Sequence, residues 1–453
     1  MSKDTIVALA TPSGRSGIGI IRLSGNSSLE IIRKITCDDN FSPVPRNATL
    51  KKIFNTDNQE LVDESLVTYF QSPQSFTGED IIEISCHGSP VLIRQIIDFC
   101  LKLDARLAEA GEFSLRALAN GQINLSQAEA IRDLIDARTV SSAKQAVRQL
   151  QGELSNSLQP LKDSLLDVIV VLESALEFVE DDLPVVQSEN IKKRLAKISE
   201  ELGKIASTFS VGKLLREGLK VVLVGRPNVG KSSLFNALIG QDRAIVTEIA
   251  GTTRDSLHES LTINDVPIFL IDTAGLRETL DTIESIGVER TKKVIAESDL
   301  VVAVFDGSNS ITAEDREILA LLNGFESIIA INKNDLGNKF PDLEKKFGQT
   351  RVVEVSAKTG DGLNELQNTI IKRFLPQITE DTGFLVSDGR HFDLLNRAKT
   401  EIDTSAHLLK EKISEEIVLI GLHNALRFLG EITGETTTED VLTRIFSTFC
   451  IGK

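Results

Sequence analysis

The amino-acid sequence predicts a multidomain chain of mixed α+β and α/β class. An N-terminal α+β domain comes first, then a helical bundle domain in two separated pieces, with a doubly wound α/β domain inserted between them. Three observations lead there. The chain has 453 residues, and at roughly 150 residues per domain that makes about three domains. Short strand-like runs give way near Ser126 to apolar residues at helical spacing. From Leu219 to about Phe374 apolar strands alternate with helical stretches, the pattern of a mostly parallel sheet covered on both faces.

Residues 1–118 mix strands and turns. Ile6–Ala10, Ile18–Ile21, Leu66–Phe70 and Ile81–Ser85 read as strands, punctuated by Pro12-Ser13-Gly14 and Ser72-Pro73. Pro90–Leu103 reads as a helix with Val91, Ile93, Ile96, Ile97 and Cys100 apolar. Residues 119–215 are the first helical piece. Ser126-Gln-Ala-Glu129 has the form of a capping box. Ile131, Leu134, Ile135, then Leu161, Leu165, Leu166, Val168, Ile169 and Leu172 recur at helical spacing, the stripe of a bundle core. Pro160 and Pro184 mark breaks or first-turn positions. Residues 216–375 carry strands at Val221–Val224, Ile268–Ile271, Leu300–Phe305, Ile328–Ile331 and Val352–Val355. Residues 376–453 return to helix, with Leu394, Leu395, Ala398 and Ile402, then Ile417 to Leu429, and are expected to pack on the 126–210 helices.

Composition narrows the function classes. Lys plus Arg number 50 and Asp plus Glu 66, a formal net charge of −16. Such a body does not bind DNA or an anionic membrane indiscriminately, although it can carry a local basic patch. Trp is absent and Tyr69 is the sole tyrosine, so base stacking would fall to Phe or His. Cys37, Cys86, Cys100 and Cys450 are too few and too scattered for a disulfide scaffold or a zinc site, which suits a reducing, cytoplasmic compartment. Met1 to Asp4 lead straight into an apolar strand, so no signal peptide is expected, and apolar runs are too short to span a bilayer.

The chemistry concentrates in the α/β region. Gly225-Arg-Pro-Asn-Val-Gly-Lys-Ser232 fits G-x-x-x-x-G-K-S, follows a strand and precedes a helix. Its N–H groups and the helix dipole suit a phosphate; Lys231 would reach the β- and γ-phosphates and Ser232 would ligate Mg²⁺. Asp272-Thr273-Ala274-Gly275 ends another strand, with Asp272 placed to hold Mg²⁺ through water and Gly275 to sense the γ-phosphate. Asn332-Lys333-Asn334-Asp335 ends the next. Asp335 can accept from guanine N1–H and N2–H₂, a donor pair that adenine lacks. Ser356-Ala357-Lys358 ends the last and would cover guanine O6. Four such elements in order assign a GTP-binding domain. The position after the Asp-x-x-Gly motif, where a Gln can orient water, is Leu276, which cannot. Glu284 stands nearby in the switch segment; residue chemistry alone leaves it open between orienting water and lying solvated on a helix face.

With these motifs in place the chain resembles, over essentially its full length, the MnmE (TrmE) tRNA-modification GTPases. The resemblance rests on Thr77-Gly-Glu-Asp80, Gly111-Glu-Phe-Ser114, Gly225–Ser233, Thr247-Glu-Ile-Ala-Gly-Thr-Thr-Arg254, Asp272-Thr-Ala-Gly-Leu-Arg-Glu278 and the terminal Cys450-Ile-Gly-Lys453. It implies a Ras-like P-loop GTPase domain that contacts GTP through Asn228, Val229, Gly230, Lys231, Ser232 and Ser233, through Thr247, Glu248, Ile249, Ala250, Gly251, Thr252 and Thr253, and through Asp272–Gly275, Asn332, Lys333, Asp335, Ser356, Ala357 and Lys358. It implies Mg²⁺ on Ser232 and Thr253, and K⁺ on Asn228, Thr247, Ile249 and Thr252, a cation that replaces an arginine finger. Lys231 and Glu284 become catalytic, Glu284 as the residue that orients water.

The same resemblance implies a folate-binding N-terminal domain. Arg22, Glu83, Gln122 and Lys453 would hold 5-formyl-tetrahydrofolate or a related one-carbon folate; the family often has Lys where Gln122 stands, so one contact loses its cation. It implies a homodimer through the N-terminal domains, a heterotetramer with an FAD-dependent MnmG-like protein, and tRNA as substrate. The activity implied is K⁺-stimulated GTP hydrolysis coupled to adding a carboxymethylaminomethyl or aminomethyl group to C5 of the wobble uridine, position 34. Cys450 would serve the modification; a cation beside it favours thiolate, whereas a free Cys is otherwise a small buried hydrophobe. Two other classes fit parts of the chain: a regulatory GTPase that gates a partner, as in ribosome maturation, and a dimeric folate- and tRNA-binding scaffold with vestigial hydrolysis. Cys450 and the N-terminal residues favour the enzyme over the first, and intact Lys231, Asp272 and Glu284 over the second.

Overall fold

The computed structural model describes residues 4–177, 185–241, 258–272, 293–337, 351–372, 383–436 and 438–452. They divide into two units: Met1–Ile135 with Gln149–Ile198 and Arg397–Lys453, and Asp136–Arg148 with Ser199–Asn396.

The first unit holds strands β1 (Thr5–Leu9), β2 (Ile18–Ser24), β3 (Thr49–Phe54), β4 (Leu61–Phe70), β5 (Ile81–His87) and β6 (Ala105–Leu107) in one sheet, in the order β3-β4-β5-β2-β1-β6. Neighbours run antiparallel except β1 and β6. Alternation along each strand sends Val7, Ile21, Leu23, Val67, Ile82 and Ile84 into one core with α1 (Ser28–Ile35) and α2 (Pro90–Lys102). The other face sends Ile6 and Ala8 against Phe113 of α3 (Glu112–Ala119). Arg22 is directly opposite Glu83 in the β2–β5 register, so the two share that second face. Val91, counted above with the apolar positions of α2, is 74% exposed.

Helices α4 (Leu125–Asp136), α6 (Glu153–Glu177), α7 (Val185–Ser207), α12 (Gly389–Lys410), α13 (Glu415–Thr433) and α14 (Glu439–Phe446) supply the helical texture. The capping box of α4 lies two residues earlier than the Ser126–Glu129 frame. Asn124 Oδ1 accepts from Gln127 N–H at 2.9 Å, and Gln127 Oε1 accepts from Asn124 N–H at 3.0 Å. Asn caps as well as Ser, and the first residue able to cap takes the position; Ser126 falls inside the helix and donates to Asn124 Oδ1. Pro160 does not break the chain, since α6 runs through it. Leu165, Val168, Ile169 and Leu172 of α6 are buried, and α6 packs along α13. Leu166 and Ile135, counted above with the apolar stripe, are exposed.

The second unit is built on β7 (Leu219–Val224), β8 (His258–Ile263), β9 (Val266–Asp272), β10 (Leu300–Asp306), β11 (Ser327–Asn332) and β12 (Arg351–Glu354), ordered β12-β11-β10-β7-β9-β8. All pairs are parallel except β8–β9, a hairpin with the two-residue turn Asn264-Asp265. The strands are almost continuously apolar because both faces are covered. Leu223, Val302, Val304 and Ala330 face one core, and Val222, Val301, Phe305 and Ile331 face the other. After β7 the chain builds outward on one side through β9 and then on the other through β10. The carboxyl end of β7 is therefore a topological switch point, where open α/β sheets bind ligands.

Candidate functional site

The loop 225–230 follows β7 at that switch point and leads into α9 (Lys231–Gln241). Crowding by neighbouring segments explains its glycines. A Cβ on Gly225 would lie 2.5 Å from the Val304 carbonyl oxygen, and one on Gly230, at φ 93°, would lie 2.3 Å from Asn332 Nδ2. Val229 is fully buried and anchors the loop from inside. Asn228 sits at φ 64°, in the left-handed region that Asn tolerates. The Lys231 ammonium donates to the carbonyls of Gly225 and Arg226, each at 2.9 Å, so the loop's own backbone holds it against the loop.

Ser232 donates its hydroxyl to Asp272 Oδ2 at 2.9 Å. Parallel pairing places Asp272 beside Leu223, at the same end of the sheet as the phosphate loop. A hydroxyl and a carboxylate at this separation are two hard oxygen donors, the chemistry that fits Mg²⁺.

The base side of the site hangs on Asn332, only 2% exposed at the end of β11. Its Nδ2 donates to the Val229 carbonyl at 2.9 Å, and its Oδ1 accepts from Ala357 N–H at 3.0 Å. One side chain thus ties the phosphate loop to the Ser356–Lys358 loop. Lys333, at φ 68°, crosses in the same direction and donates to the Asn228 carbonyl at 2.9 Å and to Asp306 Oδ2 at 2.7 Å. Burial opposes ionisation of Asp306, but Lys333, Ser308 and Asn309 outweigh it and bring its carboxyl down to about 2. Asp335 is exposed, and its Oδ1 accepts from the buried Ser356 hydroxyl at 2.7 Å, which orients the carboxylate. Ser233 and Lys358 are exposed at the rim. Residues Asn228–Ser232, Asp272, Asn332, Lys333, Asp335, Ser356 and Ala357 are therefore joined in one frame, with Ser233 and Lys358 beside it. Thr247, Glu248, Ile249, Ala250, Gly251, Thr252, Thr253, Thr273, Ala274, Gly275, Leu276 and Glu284 lie outside the described residues.

A second cluster lies in the first unit. Arg22 Nε donates to Glu83 Oε1 at 2.9 Å, and both side chains are largely buried. The guanidinium stands 5.7 Å from the Phe113 ring centroid and donates to the Gly452 carbonyl at 3.3 Å. Gly452 is buried at φ 99°; a Cβ there would lie 2.3 Å from the Leu9 carbonyl oxygen. Ile451 bridges to Ala110, and the chain end is thereby held beside Arg22. Cys450 is exposed, whereas burial pushes the Cys86 thiol up to about 11 and the Cys100 thiol up to about 12. Gln122 lies against Gly78, where a Cβ would come within 3.1 Å of its Nε2. A charged group and a hydrogen-bonding carboxylate beside an aromatic ring fit a folate, which carries both carboxylates and an N–H-rich ring. Lys453 lies outside the described residues.

Thr77–Asp80 and Gly111–Ser114, signature motifs in the sequence, contribute to a charge network. Arg116, 5% exposed, pairs with Glu79 Oε2 at 3.1 Å, Asp4 Oδ1 at 2.9 Å and Glu112 Oε1 at 2.9 Å. Arg106 pairs with Asp4 and Glu112 as well. Burial opposes the charge on Glu112, yet Arg106, the Glu109 N–H and Arg116 hold its carboxyl below the usual range. Ser24 joins Thr77 and Glu79 at 2.7 Å each, two residues along β2 from Arg22. Asp80 accepts from the Tyr69 hydroxyl at 2.8 Å; burial and that carboxylate push Tyr69 up to about 12. An acidic residue and an arginine four apart on α3 were the signal available in the sequence.

Comparison with known proteins adds the family. The family model for the MnmE helical domain matches residues 125–450, and that for the GTP-binding protein TrmE N-terminus matches residues 5–122. The tRNA modification GTPase MnmE of Aquifex aeolicus is 44% identical over 452 residues, covering 100% of both chains. Those of Acetivibrio thermocellus and Koribacter versatilis are 39% and 41% identical, each aligned over 99% or more of both chains. Among solved structures, the G domain of the T. maritima FeoB iron transporter is 30% identical, covers 34% of this chain and 97% of its own, and has a TM-score of 0.27.

Proposed function

The chain belongs to the MnmE family of tRNA modification GTPases, and on that premise we propose that it hydrolyses GTP to drive modification of the wobble uridine of tRNA. The observation that carries the nucleotide half is the Asp335 carboxylate, held by Ser356 at the end of β11 and joined through Asn332 to the phosphate loop. A site built to pair a donor edge rejects a base that lacks it, because its carboxylate would be left unpaired.

The chain's own residues divide the work. Lys231 exchanges its two carbonyl partners for the β- and γ-phosphates. Ser232 and Thr253 would be the protein ligands of Mg²⁺, Ser232 through the hydroxyl oxygen that now faces Asp272. Asn228, left-handed at φ 64° in the loop, would offer a side-chain oxygen to K⁺, with Thr247, Ile249 and Thr252 as the other ligands. When bound, the two cations neutralise charge that develops on the transferring phosphoryl group. Glu284 orients the attacking water, because Leu276 has no group that can.

In the N-terminal domain, residues 1–118 in this reading, Arg22 and Glu83 bind a one-carbon folate with Gln122 and Lys453. Arg22 supports the reading because it is already oriented by Glu83, Phe113 and the Gly452 carbonyl. Cys450, exposed beside that cluster, acts in the modification and not in hydrolysis. Helical segments 119–215 and 376–453 flank the GTPase domain, 216–375. The assembly is a cytoplasmic homodimer that works with an FAD-dependent MnmG-like protein to place a carboxymethylaminomethyl or aminomethyl group on C5 of uridine 34. Among the described residues no helix is long and apolar enough to cross a membrane. The deciding experiment is nucleoside analysis of tRNA from cells with and without this protein, beside GTP hydrolysis by the purified chain. The modified uridine should vanish with the protein; unchanged tRNA would refute the reading.

A further inference from the structure

The β8–β9 hairpin ends on Asp272 at one end and turns at Asn264-Asp265 at the other. Both turn residues are left-handed, at φ 47° and 64°. A two-residue turn of this kind is met most easily by glycine, so an Asp held there carries some strain. Its carboxylate has a specific use. Oδ1 accepts from the N–H of Val140 at 3.1 Å and Oδ2 from the N–H of Ser141 at 2.7 Å. These are the first two residues of α5 (Val140–Leu150), whose opening N–H groups have no partner within the helix. A negative charge also suits that end of the helix dipole.

Other contacts of the same unit converge here. The Arg138 guanidinium lies 4.8 Å from the ring centroid of Phe269 on β9. Gln145 of α5 donates to the Gly383 carbonyl at 3.2 Å and accepts from Leu385 N–H at 3.1 Å. The 383–388 segment is held in turn on α8 (Phe209–Glu217) and the residue before it. The Thr208 hydroxyl accepts from Val386 N–H at 3.0 Å, Gly212 meets the Val386 carbonyl so closely that a Cβ would come within 2.1 Å, and Arg216 pairs with Asp388 at 2.7 Å. Helix α5 runs on to Leu150, past the point where the other unit resumes at Gln149.

We propose that Asp265 is a positioning residue that latches the hairpin to α5, so that a change at Asp272 is delivered to the helix. The inference rests on the GTPase reading above. β9 has seven residues, roughly 20 Å at 3.3 Å each, and is hydrogen-bonded on both sides by β7 and β8. Such a strand does not shorten or stretch, so a displacement at Asp272 would carry the turn with it, and the turn holds two N–H groups of α5.

The test uses full-length protein with Asp265→Gly, which relaxes the left-handed turn while deleting the carboxylate, and with Asp265→Asn, which keeps an acceptor without the charge. Amide hydrogen exchange at residues 140–142 is read with GDP and with a non-hydrolysable GTP analogue, in Mg²⁺ and KCl. In the wild type, protection there should differ at least tenfold between the two nucleotides. In Asp265→Gly the difference should collapse, while kcat and KM for GTP stay within twofold. Modified wobble uridine in a complemented deletion strain should fall at least fivefold, with Asp265→Asn intermediate. Retained nucleotide-dependent protection, or modification within twofold of wild type, overturns the proposal. A wild type that does not hydrolyse GTP defeats the functional reading and the latch with it, whereas an active wild type with a fully modifying Gly variant defeats the latch alone.

Discussion

Asn332→Ala should weaken guanine-nucleotide binding by loosening the frame that ties the phosphate loop to the Ser356–Lys358 loop. The side chain is buried; it donates to the Val229 carbonyl at 2.9 Å and, at the long limit of 3.5 Å, to the Gly230 carbonyl, and it accepts from the Ala357 N–H at 3.0 Å, so two short hydrogen bonds carry most of the tie. Leaving a buried backbone group unpaired costs about 1–3 kcal/mol. The two freed groups belong to loops that can open to water, so the lower end applies, about 2 kcal/mol for the pair. That energy is lost from the closed arrangement of the two loops and not from the open ones. The binding-competent fraction falls accordingly, and apparent affinity scales with that fraction; about 2 kcal/mol is roughly 30-fold. Because the loss is one of preorganisation, GDP and GTP should weaken alike, and discrimination against ATP should persist through Asp335 and Ser356. The assay is titration with a fluorescent GDP and displacement by GTP and ATP, with thermal unfolding of the same sample. Affinity within twofold of wild type alongside a lowered Tm would show that the stitch serves stability alone, and the preorganisation argument would be wrong.

Asp335→Asn should weaken GTP and favour xanthosine triphosphate, whose C2 oxygen suits an amide donor; an unchanged GTP-over-XTP margin in competition binding counts against the assignment. Hydrolysis in KCl should exceed that in matched NaCl at least tenfold, about 1.4 kcal/mol of barrier, and Glu284→Ala should lower kcat roughly 10²-fold with GTP affinity unmoved. Equal rates in the two salts would remove K⁺ from the mechanism. Arg116→Met should destabilise the first unit by about 2–3 kcal/mol, less than the 3–5 for stranding a buried charge, because Glu112 keeps Arg106 and the Glu109 N–H. The depressed Glu112 pKa adds stability above its ordinary value of 4.5, and that contribution is lost as pH falls through the folded value; the acid limb of urea unfolding should therefore be shallower in the variant. Cys450→Ser should leave GTPase within about twofold and abolish the modified uridine; full modification by the variant would end the functional reading of the thiol.

Much of the nucleotide site was legible because its motifs are local. Gly225–Ser232, Asn332–Asp335 and Ser356–Lys358 are each a few consecutive residues at a strand end, and the almost continuous apolar runs before them read as buried parallel strands. What motifs cannot show is a contact that joins them. Asn332 reads as the first letter of a guanine motif, yet its side chain is hydrogen-bonded to protein backbone in two separate loops. The hairpin turn is hidden in the sequence for a related reason. Asn264-Asp265 between alternating residues is a turn signal, but β8 was not read as a strand, so the signal had no hairpin to belong to.

The N-terminal cluster shows the other limit. From sequence, Arg22 and Glu83 are sixty-one positions apart and would pass for surface charges; antiparallel register sets them directly opposite. Pairing register depends on which strands are neighbours, and β2 lies between β1 and β5 only because β3 and β4 fold back beyond β5. The Arg116 network follows the same rule. Its carboxylates come from the chain start, from the loop before β5 and from α3 itself, and only the last pair, at helical spacing, is visible in one dimension. Burying so many charges is costly unless each is paired. Their pairing here fixes α3, and α3 presents Phe113 to Arg22. The signature motifs of this domain are thus a support for the arginine, two contacts removed from whatever it binds. Substitutions in the network should accordingly change the orientation of Arg22 before they change its charge, a distinction that separate titrations of folate affinity and of folding stability can draw.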